Sequence, residues 1–270
     1  MSHLSDVGFG ISSEEELSAV LDGALKIALD EGKEYMVKGG SYVCYHDVSG
    51  AEFWMQFNRK KVLIGGNPHY SGKSRLNVSV LFKIEREKTP LDGAFYAWMA
   101  PEDKNKPESG FYPFIFDVPD FKSLEKMKLP QNVDIQLTAF VEQMLDVYKD
   151  EDDFYNRHTG ELKWGSRSFV PTGLFKVEDG EKLEETEEPY ALFTGVIKEF
   201  ELKTNRLTGQ KFYWLLVETH GGEIDVVSDP KFFEKPPEIN NVIQGHFWLS
   251  GRVLTDNLKK EKGIFKLFMN

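Results

Sequence analysis

The runs Ala191-Leu-Phe-Thr-Gly-Val-Ile-Lys-Glu-Phe-Glu-Leu202, Lys211-Phe-Tyr-Trp-Leu-Leu-Val-Glu-Thr219 and Glu223-Ile-Asp-Val-Val227 decide how the last third of the chain is read. Each is rich in β-branched and aromatic residues, which suit a pleated, half-buried surface. Turn sequences separate them, Asn205–Gln210 and His220-Gly221-Gly222. A Pro-rich loop comes next, then Val242–Val253 and Ile264–Phe268. These five strand-like runs within 190–270 predict a small five-stranded β-barrel.

Working back from that stretch, Glu178–Glu188 is acidic, polar and closed by Pro189, the composition of a linker. It divides the chain into residues 1–185 and residues 186–270. In the first part, Ser12 and Ser13 each stand three residues before a Glu, the spacing of a capping box. Leu17, Val20, Leu21, Ala24, Leu25 and Ala28 then recur at helical spacing, and Gly32 is a natural stop. These signals predict a helix over about 13–30. Period-two alternation marks strands around Tyr42–His46, Phe53–Phe57, Leu76–Ile84, Ala94–Met99 and Tyr112–Asp117, and Lys61–Ile64 is a short run closed by Gly65-Gly66. Val133, Leu137, Phe140, Val141, Met144, Leu145 and Tyr148 keep a 3–4 spacing after Asn132, which predicts a second helix over about 132–149. Asp150–Asp153 reads as solvated surface. The fold class expected is α+β: an antiparallel sheet flanked by helices in residues 1–185, followed by the barrel in 186–270. The chain shows no internal sequence repeat.

Composition narrows the function classes. Aromatic residues make up 13% of the 270 residues, with 21 Phe among them, enough to compensate for few aliphatics in building a core. The single cysteine, Cys44, excludes an internal disulfide and a cysteine-rich zinc site. No basic region followed by an apolar run opens the chain, and no apolar segment approaches the roughly 18 residues of a membrane helix. A cytoplasmic protein without membrane contact is therefore expected. The net charge of −11 lies almost wholly before residue 186. An acidic first part disfavours phosphate backbones and favours a basic protein partner.

Three groupings could carry chemistry. Gly66-Asn-Pro-His-Tyr-Ser-Gly-Lys-Ser74 resembles a phosphate-binding loop, but its spacing is one residue too long. The residues after it also alternate as a strand, where such a loop needs a helix N-terminus. A hairpin loop is expected instead. Cys44 and His46 share one strand face at i and i+2, a thiol beside an imidazole, as in a nucleophilic hydrolase. That spacing leaves them roughly 6–7 Å apart, too far for a direct bond. The six His show no metal-ligand spacing, and no metal or cofactor is expected.

The third grouping belongs to residues 190–270. Their five runs, with Gly195 midway in the first and a connecting segment holding Phe232 and Phe233, resemble an oligonucleotide/oligosaccharide-binding (OB) fold. In such a barrel the resemblance implies a ligand face on the second and third strands. Arg206, Lys211, Tyr213, Trp248 and Arg252 are the ligand-binding candidates that match it, with aromatic rings to stack and cations to follow phosphates. Alternation places Ile224 and Val226 inward, so Glu223 and Asp225 point outward and repel phosphate. The Met-Ser-His-Leu-Ser-Asp-Val-Gly-Phe opening and Phe247-Trp-Leu-Ser-Gly-Arg252 resemble uncharacterised bacterial cytosolic proteins. The function expected is a non-enzymatic binding or protein-interaction module. The alternatives are single-stranded nucleic-acid or oligosaccharide binding by the barrel, and a hydrolase using Cys44 and His46.

Overall fold

The Ser13 hydroxyl accepts the Glu16 N–H at 3.2 Å and so opens helix α1, Glu14–Asp30. Gly32, in the left-handed region at φ +69°, closes it. Ala24 and Ala28 are buried on its inner face, with Val20, Leu21 and Leu25 half-buried beside them. The expected helix stands in the place the spacing predicts. The computed structural model describes residues 3–11, 13–103, 105–159, 164–178, 182–185 and 187–254, with backbone alone for 175–178 and 182–185.

Strands β1 (Glu34–Val37), β2 (Gly40–His46), β3 (Ala51–Asn58) and β4 (Leu63–Tyr70) form an antiparallel sheet in that order. The larger sheet takes β5 (Leu76–Glu85), β6 (Gly93–Met99), β7 (Pro113–Asp117), β8 (Gln131–Tyr148) and β9 (Ser168–Val170). A separate hairpin pairs β10 (Phe175–Glu178) with β11 (Lys182–Glu185), so part of the expected linker is paired backbone. The larger sheet is completed by β12 (Tyr190–Thr204), β13 (Lys211–Thr219), β14 (Gly222–Ser228) and β15 (Val242–Val253). Nine strands run β13-β14-β8-β5-β6-β7-β15-β12-β9, with further pairings of β12 to β13 and β8 to β15.

This arrangement corrects the expected OB-like barrel. Residues 190–253 contribute four strands to a nine-stranded mixed sheet, not a self-contained five-stranded barrel. The reason is β8. It comes from the first part of the chain, runs parallel to β14 and antiparallel to β15, and so takes the edges that an independent barrel would have to pair with each other. The run Ile264–Phe268, expected as the fifth strand, lies outside the described residues.

The second helix expected over 132–149 is likewise corrected: Gln131–Tyr148 is one continuous strand. Val133, Ile135, Leu137, Ala139 and Val141 alternate into the main core, while Phe140 enters a second core on the opposite face. A strand covered on both faces carries apolar residues at both parities, and such a run also satisfies a 3–4 spacing. Asp150–Asp153, expected as solvated surface, forms the start of the short helix α2 (Glu151–Arg157), where the Asp150 carboxylate accepts the Asp153 N–H at 2.9 Å.

The pairing shows a repeat that the residues do not. β5-β6-β7 and β12-β13-β14 are both antiparallel meanders, each followed by a long strand, β8 or β15. Each long strand pairs antiparallel with the first strand of its own meander and parallel with the last strand of the other. The two long strands also pair with each other. The main core lies under these strands. The second core joins Phe140, Phe212, Trp214, Leu216, Val227 and Trp248 of the large sheet to Val43, Tyr45, Phe53 and Met55 of the small sheet and to α1.

Candidate functional site

Where the small sheet meets the large one, polar side chains face each other in a buried row. His69 on β4 is fully buried, with Nδ1 2.9 Å from Ser250 Oγ and Nε2 2.9 Å from Gln136 Oε1. The Gln136 amide nitrogen donates to Thr138 Oγ1 and to Asp225 Oδ2, each at 2.8 Å. Gln136 Oε1 must therefore accept, which places the imidazole proton on Nε2 and makes Ser250 the donor to Nδ1. Burial pulls the His69 pKa down to about 4, so the ring is neutral at pH 7.

Asp225 ends the row. Its carboxylate accepts the backbone N–H groups of Lys73 and Ser74, each at 2.9 Å, the Trp214 indole N–H at 2.8 Å and the Gln136 amide. The Gly72-Lys73-Ser74 loop, which resembles a phosphate loop in sequence, thus cradles a carboxylate of its own chain between two strands, with no helix after it. Asp225 does leave the main core, as its alternation with Ile224 and Val226 requires. The face it enters is covered, however, and it is fully buried. Gly72 is required there, because a Cβ on it would lie 2.1 Å from the Asp225 carboxyl carbon. We expect Gly72→Ala to cost about 2 kcal/mol through overpacking, read as a lower urea midpoint with an unchanged slope.

The other polar grouping reaches solvent. Glu52 on β3 is buried; its Oε1 pairs with His46 Nδ1 at 3.0 Å and its Oε2 accepts the Trp54 indole N–H at 2.7 Å. Burial alone would raise the Glu52 carboxyl, but the His46 bond, the Arg252 charge and the Trp54 N–H outweigh it and hold it at about 2. Glu52 is therefore ionised, and the same bond raises the His46 pKa. Arg252, near the end of β15, lies over the Trp54 ring at 4.7 Å. Its two nitrogens approach Glu52 at 3.6 Å and Asp120 at 3.7 Å, beyond hydrogen-bond length, and its Nε and Asp120 Oδ1 are buried without hydrogen-bond partners. Tyr35 on β1 stacks on Trp54 with ring centres 5.7 Å apart.

Exposure sorts these charges by sign. The side chains of His46 and Arg252 are 46% and 35% exposed, those of Glu52 and Asp120 only 4% and 18%. The Arg252 guanidinium and the His46 imidazole are thus presented at the rim, with carboxyl groups beneath them. Among the described residues no group of three or more His, Cys, Asp or Glu is arranged to hold a metal.

The five candidates read from the sequence do not converge. Tyr213 is buried in the main core, edge-on to Phe233 at 5.0 Å. Trp248 is buried in the second core, where its indole N–H donates to Asp117 at 2.9 Å and its ring stacks on His3 at 4.7 Å. Arg206 and Lys211 are exposed at the β12–β13 turn and the start of β13. Arg252 alone joins the cluster just described. Cys44 is buried, its thiol directed at the Tyr45 carbonyl at 3.6 Å, while His46 is bonded to Glu52. No thiol–imidazole bond forms, and burial, with the Glu52 charge beside it, pushes the thiol well above its ordinary range. We expect a thiol reagent such as dithiobis(nitrobenzoate) to label Cys44 only after the protein unfolds; rapid labelling of the native protein would contradict this environment.

Glu52, Trp54, Asp120 and His69 were not singled out in the sequence, and Asp225 was read there as an outward-facing carboxylate, whereas it is fully buried. The available signal was a single carboxylate inside an apolar strand run, Ala51-Glu-Phe-Trp-Met55 and Ile224-Asp-Val226. No family model matches the chain, and no curated protein matches it. The resemblance to uncharacterised bacterial cytosolic proteins gains no support from these comparisons and is withdrawn together with the barrel. No helix of the described residues is long and apolar enough to cross a membrane.

Proposed function

We propose that the protein is a binding module, and that its ligand docks at the Tyr35–His46–Arg252 rim. The carrying observation is Arg252. Its guanidinium is backed by an indole and flanked by two carboxylates, yet its ion contacts are too long to be hydrogen bonds. A cation held in this way is pre-organised, so a ligand that takes its donors does not bear the cost of ordering it. Binding is favoured over thiol chemistry because Cys44 is buried as a thiol beneath the same cluster.

Retention of a ligand tests this. Full-length protein is incubated with a small-molecule extract of cells, desalted, denatured and analysed by mass spectrometry, beside the Arg252→Gln variant. We expect a compound retained by the wild type and depleted at least tenfold from the variant. Equal profiles for the two proteins would remove the reading.

A further inference from the structure

The geometry points to an aromatic monocarboxylate as the ligand: a flat ring bearing one carboxylate, laid on Tyr35 with its charge on Arg252. The inference rests on the binding reading above and gives it a substrate class.

The charge argument comes first. Within the cluster His46 and Arg252 face outward, while Glu52 and Asp120 lie beneath them within 4 Å of their nitrogens. An arriving group therefore meets positive charge at the rim, which selects an anion. The Glu52 and Asp120 carboxyl groups below nevertheless lie 3.6 and 3.7 Å from Arg252, and so also face whatever docks on it. A phosphate dianion would bring two negative charges toward these carboxyl groups in a chain already at −11, and a single carboxylate brings one. Like charges repel, so the monoanion is favoured.

Shape supplies the second argument. A guanidinium is planar and meets a planar carboxylate through two parallel N–H bonds. The Arg252 guanidinium carbon lies 4.7 Å from the centre of the Trp54 ring, and Tyr35 stacks on the same indole. Trp54 is itself buried, so it serves as the common backing and is not the surface a ligand touches. Tyr35 is 42% exposed and offers its phenol ring to a second ring. His46 shares the Glu52 oxygen with Arg252 and stands at the same rim, where it adds a donor.

Calorimetric titration of the full-length protein at pH 6.5 tests the class with four probes: 4-hydroxybenzoate, its uncharged counterpart 4-hydroxybenzamide, inorganic phosphate and adenosine monophosphate. We expect 4-hydroxybenzoate to bind at least tenfold more tightly than the other three. Arg252→Gln should weaken it at least tenfold. Tyr35→Ala, a change at an exposed strand edge, should weaken it severalfold and serves if Arg252→Gln does not fold. Tighter binding of phosphate or the nucleotide, abolished by Arg252→Gln, would overturn the carboxylate class while leaving the rim a binding site. Binding of 4-hydroxybenzoate unchanged in both variants, or none of the four probes binding, would overturn the inference outright; retention of another compound from the extract, lost with Arg252→Gln, would then still uphold the rim as a binding site.

Discussion

Replacing Asp225 by Ala is expected to cost about 4 kcal/mol or more, a large part of the roughly 5–15 kcal/mol that holds a folded domain together. Four donors converge on this one buried carboxylate: the Lys73 and Ser74 N–H groups, the Trp214 indole and the Gln136 amide. A methyl group accepts none of them, and each buried donor left without a partner costs about 1–3 kcal/mol. Asp225→Asn should fall between Ala and the wild type. Its amide keeps one acceptor oxygen for one pair of donors, but turns an NH2 group toward the other pair. Glu223→Gln, two residues earlier on the same strand and exposed, should stay within about 0.5 kcal/mol of the wild type. Urea unfolding followed by tryptophan fluorescence reads all three. A small loss for Asp225→Ala would show that water enters the row and that the loop does not depend on the carboxylate.

Acid should weaken the fold through His69. The unfolded imidazole titrates near 6.5, whereas burial holds the native one down at about 4. Below pH 6.5 the unfolded chain gains a proton that the native protein does not take up, so stability falls as pH falls, and the loss is complete near pH 4. A pKa lowered by one is worth about 1.4 kcal/mol, so His69 alone removes about 3 kcal/mol over that window. The hydrogen bonds are not the obstacle, since Ser250 can turn from donor to acceptor; the cost is that of placing a charge in a site without solvent. Asp117 acts in the opposite sense. Burial, only partly offset by the Trp248 N–H, pushes its carboxyl up to about 6, so the native state gains a proton first and is stabilised as pH falls from 6 toward 3.8. Below pH 4.5 Glu52, held at about 2, adds to the loss. The wild type should therefore lose little stability between pH 6.5 and 4. Asp117→Asn keeps an acceptor for Trp248 but removes the opposing titration, and should lose about 3 kcal/mol more over the same range. Denaturant midpoints at pH 6.5, 5.5 and 4.5 separate the two proteins, and imidazole nitrogen shifts should show His69 neutral, with the proton on Nε2, at pH 5. A protonated His69 at pH 5 would contradict the burial argument.

Local signals in the sequence point to the right element where that element answers to its own neighbours. Ser13 with Glu16 and the apolar spacing to Ala28 define α1, because a cap and an amphipathic stripe are short-range properties. Strict alternation at Leu76–Ile84 defines β5 for the same reason. The signals mislead at Gln131–Tyr148, where apolar residues at both parities admit a helix as well as a strand. Only the pairing of this segment with β5, β14 and β15 excludes the helix. For the rim cluster, Arg252, Cys44 and His46 were legible as reactive residue types. Glu52, Asp120 and Trp54 were not, since they become partners of Arg252 only through contacts between distant parts of the chain.

By itself the sequence determined the composition of an aromatic-rich α+β chain, the first helix, most strand positions and the lack of a disulfide or a cysteine-rich metal site. Those properties derive from residue type and from periods of two and 3.6, which act over a few residues. Tertiary structure alone decided that β8 and β15 each join the meander of the other half, so that the last third forms no barrel of its own. It also decided that Asp225 faces a loop and not solvent, and that Arg252 meets Trp54 across two sheets. The physical reason is common to all three: strand pairing and burial depend on which distant segments meet, and alternation records only that a face is covered, not what covers it.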